Sequence, residues 1–323
     1  MKQLITLLVL GFYCVITFGW SAHEVLTYLL VKDFLPNSDK LIQITPYNYD
    51  EKRVYNKDFL RLDDYCGEFI KSCPLSNACY YPPDPKPIDG KVPVWQILTV
   101  YSVEPDLGMD EGLQLSPLQN IIGNSQGVRH MKYNIAIFEF FEGSESFYYF
   151  VNMSKEAFNR GDEYWGYRFL ARAIHYLEDL SMPYHNTPGT FFDTLRAFTD
   201  KEMAHLLSNS HYSYDEYLAY LLYGYDQDTV KGIVQAQPEY TRYLRRLIQK
   251  VRLLGLNNID GVDRLLRRTY GDLLGKRVLT TADYAAHEND LEELKQITIG
   301  IISRFSSLAR GFILSFLKEV GQI

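Results

Sequence analysis

An all-α fold, a single large multi-helix domain, is what this sequence predicts, and three observations predict it. Apolar residues recur at i, i+3 and i+4 through most of the chain, the period of a helix with one buried face. Alternating apolar and polar runs, the mark of half-buried strands, are scarce. The composition, 46% hydrophobic and 23% charged over 323 residues, is that of a globular chain and excludes disordered, collagen-like and low-complexity classes.

The first element is a targeting segment. Lys2 precedes an uncharged apolar run from Leu4 to Phe18, which ends in Thr17-Phe18-Gly19 before Trp20. A basic start, a short apolar core and small residues at the last and third-last positions describe a secretory signal over residues 1–19, cleaved after Gly19. The expected location is therefore secreted or periplasmic, and the domain is residues 20–323. Near the other end, Ile297 to Val320 is apolar but interrupted by Arg304, Arg310 and Lys318, which suits a buried or amphipathic helix better than a span.

Trp20 to Phe34 reads as a helix, with Val25, Leu26, Leu29 and Leu30 on one face and Pro36 closing it. Residues 36–93 read as an irregular insertion, because Pro82, Pro83, Pro85, Pro87 and Asp89-Gly90 break both periodicities. Cys66, Cys73 and Cys79 fall inside it. Oxidised after export, two of them form a local staple whose pairing the sequence leaves open. Val94 to Val103 restores a helical pattern, and after a Gly-rich passage His130 to Phe141 is expected to be helical. Asp162 to Leu180 is the most regular helix: Phe169, Leu170, Ala173, Ile174, Leu177 and Leu180 keep the period and Pro183 ends it. Helices are also expected at 195–207, 212–223, 236–254, 259–275 and 289–319.

The formal net charge of −7 argues against a broad electrostatic footprint on nucleic acid, though not against a small site that cuts it. The chemistry concentrates in the seven His residues. His175 and Asp179 are four apart in the most regular helix and project from one face. His185 follows just after Pro183, where the turning chain brings it back. His211 and Asp215 repeat the spacing. An imidazole and a carboxylate one turn apart form a two-toothed clip for Zn²⁺, which takes N and O ligands in a tetrahedral shell. One such pair is more often a surface contact; two, with His185 between them, point to metal. His205 lacks a carboxylate four residues on and His287 lies in a polar, acidic stretch, so both are read as bystanders.

The run His175-Tyr-Leu-Glu-Asp179-Leu-Ser-Met-Pro183-Tyr-His185 resembles the signature of zinc-dependent phospholipase C, shared with the three-zinc single-strand nucleases. Trp20-Ser21-Ala22 after the expected cleavage resembles the phospholipase start. The resemblance implies three Zn²⁺ ions. The Trp20 amino terminus, His23 and Asp179 would hold one; Asp179 would bridge to a second completed by Asp106, His130 and His175. The third would sit on His185, His211 and Asp215. Asp106 is preferred to Asp110 because Glu104-Pro105-Asp106 resembles the family's turn. The chain departs from the pattern in several places: Glu178 stands where Gly is usual, His23 follows Trp20 unusually closely, residues 36–93 have no counterpart, and the gap from His185 to His211 is longer than in the phospholipase branch.

The implied activity is phosphodiester hydrolysis. Two zinc ions bridged by a carboxylate can share a water and make it hydroxide near neutral pH, with Asp106 and Asp179 as the catalytic carboxylates. Phospholipase C-type release of a phospholipid head group, at a membrane surface, is the first expectation. A single-strand nuclease or 3′-nucleotidase is the alternative, disfavoured by Met131 after His130, where a base-stacking aromatic would serve. An exported helical protein with structural zinc and no turnover is the second alternative. No protein partner can be inferred.

Overall fold

The computed structural model describes residues 22–49, 86–110, 113, 115, 116, 126–135 and 138–323. The expected signal, Trp20 and the three cysteines lie outside these residues. The protein is mostly helical, as the periodicity predicts, with two short antiparallel strand pairs among the described residues. In chain order the helices are α1 (His23–Val31), α2 (Val94–Val100), α3 (Gln126–His130), α4 (Gly143–Asn159), α5 (Glu163–Asp179), α6 (Pro183–Asn186), α7 (Phe191–Ala197), α8 (Lys201–Tyr223), α9 (Gln227–Val234), α10 (Leu244–Tyr270), α11 (Thr281–Ala286) and α12 (Glu292–Glu319).

The helix α5 runs through the middle of the fold. Asp162 caps it, accepting from the Trp165 N–H, and every residue from Tyr164 to Asp179 is buried. It lies along α4 and also meets α2. On another side α12 packs against α10 and α9. By length and composition α12 could cross a membrane, but here Ile301, Ile302, Phe305, Ile313 and Leu317 are core residues. Its buried Arg310 donates to the carbonyls of Leu29, Leu30, Val234 and Ala236. One guanidinium so satisfies the ends of both α1 and α9, where backbone acceptors have no intrahelical donor.

Several elements differ from the sequence expectation. The segment expected as a helix from His130 to Phe141 is instead the last residue of α3 followed by a hairpin. Strand β3 (Tyr133–Ile135) pairs with β4 (Phe138–Phe140), Tyr133 opposite Phe140, and the alternation in Phe138-Glu139-Phe140 is the signal for it. The ends of the insertion also pair: β1 (Leu41–Gln43) lies antiparallel to β2 (Lys91–Pro93). The helices α4 and α9 were not expected, although Phe147, Phe150, Val151, Ser154 and Phe158 bury one helical face. The pair 236–254 and 259–275 is one helix, α10, and 212–223 joins most of 195–207 in α8. Polar residues on their solvent faces, such as Asn257 and Asn258, mimic breaks without making them.

Part of the Tyr surplus, 26 residues in all, is core: ten are buried among the described residues. Tyr101, Tyr167, Tyr176, Tyr184, Tyr214 and Tyr284 are fully buried, and each hydroxyl finds a polar partner, as a buried phenol requires.

Candidate metal centre

The candidate side chains come from separate elements and meet at the C-terminal end of α5. His175 and Asp179 occupy its last turns. The turn after it is closed by Asn186, whose Nδ2 donates to the carbonyls of Leu180 and Met182, and this sets His185 beside Asp179. The Lys132 N–H donates to the His185 carbonyl at 2.9 Å, tying the chain after His130 to the same turn. Asp106 leaves a π-helical turn, Pro105–Met109, in which Gly108 takes φ 85°, a left-handed conformation that Gly adopts without a Cβ penalty. His23 is the first residue of α1. His211 and Asp215 share a face of α8.

Four donor atoms converge in one place. His130 Nδ1 lies 2.9 Å from Asp179 Oδ2 and 3.4 Å from Asp106 Oδ1. His175 Nε2 lies 3.2 Å from the same Asp179 oxygen, 3.6 Å from Asp106 Oδ1 and 3.0 Å from His130 Nδ1. Donors placed about 2.0–2.2 Å from a common centre in a tetrahedron stand about 3.3–3.6 Å apart, close to these separations. The other oxygens of both carboxylates turn to His23, whose Nε2 is 3.7 Å from Asp106 Oδ2 and 3.6 Å from Asp179 Oδ1. A further group joins His185, His211 and Asp215: Asp215 Oδ2 is 3.2 Å from His211 Nε2 and 3.5 Å from His185 Nε2. His185 Nδ1 also stands 3.2 Å from Asp179 Oδ1. These His and Asp groups are within metal-binding distance.

The donor chemistry fits a cation. Asp179 Oδ1, Asp215 Oδ1 and both His185 nitrogens are buried without a hydrogen-bond partner, a costly arrangement unless something else engages them. Electrostatics point the same way. Burial, reinforced by His175, holds His23 down to about 3, so its ring is neutral, the ligand form. His130 is pushed up to about 10: burial opposes its charge, but Asp110, Asp179 and Asp106 outweigh it. Asp106 is raised to about 6, chiefly by burial, with Asp179 and Asp110 adding to it. Carboxylates that need a protonated imidazole for balance are equally balanced by a divalent cation.

The centre is backed by residues the sequence reading did not place. Asp110, the alternative to Asp106, faces away from the converging donors. Its Oδ2 accepts from Arg129 Nε and from the Tyr176 hydroxyl, each at 2.6 Å, and stands 3.5 Å from His130 Nε2. Glu178 is wholly buried, with Oε2 2.6 Å from His23 Nδ1 and Oε1 accepting from the Thr27 hydroxyl at 2.9 Å. Burial lifts Glu178 well above the usual carboxylate range, opposed by the Thr27 bond, so the proton between it and His23 is held within that pair. Glu104 accepts from Arg168 and Arg172. An available signal was two arginines one turn apart on an apolar helix, which require a buried acid. His205 and His287 are exposed and lie outside the centre. Tyr101, Tyr133 and Tyr184, near the candidate ligands in sequence, are buried packing residues.

The chain matches no family model and no curated protein.

Proposed function

We propose that the protein is a zinc-dependent phosphodiester hydrolase acting on phospholipids, releasing the head group in the manner of phospholipase C. The observation that carries the reading is the convergence of Asp106 Oδ1, His130 Nδ1, His175 Nε2 and Asp179 Oδ2, with the second oxygen of each carboxylate turned to His23. Carboxylates shared between adjacent donor groups are the arrangement by which two cations are held close together. Three zinc ions are proposed: one on Asp106, His130, His175 and Asp179; one on His23, Asp179 and the Trp20 amino terminus; one on His185, His211 and Asp215. Bound there, zinc supplies Lewis acidity toward a phosphoryl oxygen and a water made acidic near neutral pH.

The protein residues do the positioning. Asp179, with no solvent exposure, is fixed among four imidazoles and would be the carboxylate shared between two cations. Asp106 keeps 15% of its side chain exposed, so it is the carboxylate at the mouth of the centre. We assign it to orienting the attacking water. The buried surroundings strengthen each charge interaction at the reacting phosphate. Lipid is favoured over nucleic acid by the net charge of −7 and by the exposed Phe191, Phe192 and Leu195 on α7, five residues and more beyond His185, apt for a membrane surface.

The test is a paired assay on protein beginning at Trp20: head-group release from phosphatidylcholine against digestion of single-stranded DNA, with His175→Ala as the blank. Release from lipid is expected. Activity on DNA alone would replace this reading with a nuclease, and stoichiometric zinc without turnover would make the metal structural.

A further inference from the structure

His23 is gripped from two sides. Its Nε2 faces the oxygens of Asp106 and Asp179, while its Nδ1 meets Glu178 Oε2 at 2.6 Å. The other Glu178 oxygen is occupied by Thr27, one helical turn after His23 on α1. A single carboxylate at the end of α5 therefore docks one face of α1 through two contacts, across 155 and 151 positions of sequence. Both partners and the acid are fully buried, so no water can substitute for either contact.

From this geometry we infer that Glu178 is the positioning residue of the His23 metal site: it holds the imidazole ring so that Nε2, and not Nδ1, is presented to the cation. The inference rests on the metal-centre reading above. Only Nε2 is left to face the cation, because Nδ1 is engaged by Glu178, and the ring is packed 3.9 Å from the His175 ring, centroid to centroid. When Nε2 carries the metal, Nδ1 keeps its proton and donates it to Glu178, which fixes both the tautomer and the ring plane. By accepting that hydrogen bond Glu178 also raises the basicity of the ligating nitrogen. Thr27 removes the remaining freedom of the carboxylate. Asp110 stands behind His130 in a comparable place, at the longer distance of 3.5 Å.

The test measures metal rather than turnover. Zinc is titrated into protein beginning at Trp20 in competition with a chromophoric chelator, comparing wild type, Glu178→Ala, His23→Ala and the double variant. Glu178→Ala is expected to weaken one zinc equivalent about 10–100-fold, with the others unchanged. His23→Ala should lose the same equivalent, and Glu178→Ala should cost nothing further in that background, because the acid acts through the histidine. Glu178→Gln preserves volume and an acceptor oxygen, so it should fall between wild type and Glu178→Ala, and it serves if the Ala variant does not fold. An unchanged equivalent in both Glu178 variants would overturn the assignment. So would the full loss recurring in the His23→Ala background. A wild-type protein that takes up no zinc would overturn the metal-centre reading itself and this inference with it.

Discussion

Arg172 donates its Nε to Glu104 at 2.7 Å, and both side chains are closed off from solvent. Arg168 meets the same carboxylate, and Glu104 is held below the usual carboxylate range because these two cations outweigh the burial that opposes its charge. The trio ties the turn carrying Asp106 to the helix carrying His175. Glu104→Gln should destabilise the fold by about 3–5 kcal/mol, since it leaves two buried guanidiniums without their counter-charge. Urea unfolding at neutral pH measures it; a change within about 0.5 kcal/mol, the range of ordinary surface substitutions, would contradict the account.

Asp106 and Asp110 should respond differently to the same change. Asp106→Asn removes a charge from the converging donors and should cost more than 100-fold in zinc affinity at the His130–His175 group, taking phosphodiester hydrolysis with it. Asp110→Asn leaves those donors in place and loosens only the support of His130, so a loss of about 10–100-fold is expected. Equilibrium dialysis separates the two, and equal losses would mean the roles are wrongly divided.

Gly255 sits on α10 where the chain after α5 passes closely. A Cβ there would lie 2.8 Å from the Met182 carbonyl oxygen and 2.8 Å from Asn186 Nδ2. Gly255→Ala must therefore push α10 away from the turn that places His185. We expect a loss of about 1–3 kcal/mol in stability, read as a lower Tm. Zinc at the His185–His211–Asp215 group should weaken more than zinc at the His130–His175 group. Unaltered affinity at both would show that the turn holds His185 without α10.

Acid sensitivity should trace in part to Asp226. Burial would raise its pKa, but Lys295, along with the N–H and hydroxyl of Thr229, keeps it below the ordinary carboxylate value. A group whose pKa is lower in the folded chain binds its proton more readily when unfolded. Its contribution is thus complete above about pH 4, the unfolded value, and is lost as pH falls through the depressed one. Asp226→Asn should lower stability at pH 7 and flatten the decline in stability on acidification, followed by denaturant unfolding at several pH values. A parallel decline in both proteins would rule Asp226 out as a contributor.

The helical class and the donor residues were legible because helix period and His-x3-Asp spacing are local properties of sequence. His175 with Asp179, and His211 with Asp215, need nothing beyond one turn of helix. The hairpin after His130 was hidden because short apolar runs suit strand and helix alike, and tertiary pairing decides between them. Glu178 was readable as an oddity, a carboxylate beside Asp179 on a buried helix, but its partner was not, since nothing local links it to a residue in α1. Two of the positions at which the chain departs from the pattern it resembles, Glu178 and His23, touch each other. Trp20 lies outside the described residues.

The wide sequence spacing of the donors has a thermodynamic side. His130 and His175 are 45 positions apart, and His23 and Asp179 are 156 apart (179 − 23). A cation clasped by such groups is a reversible cross-link, and loop-closure entropy makes a link across a long span restrict the unfolded chain more than one across a short span. With zinc bound as proposed, its free concentration becomes a folding variable: each tenfold rise above the dissociation constant adds about 1.4 kcal/mol per site to global stability. Emptied of metal, such a chain would loosen first where α1 and the Asp106 turn are pinned to the end of α5, so the reservoir of available zinc would set the stability of the fold as well as its chemistry.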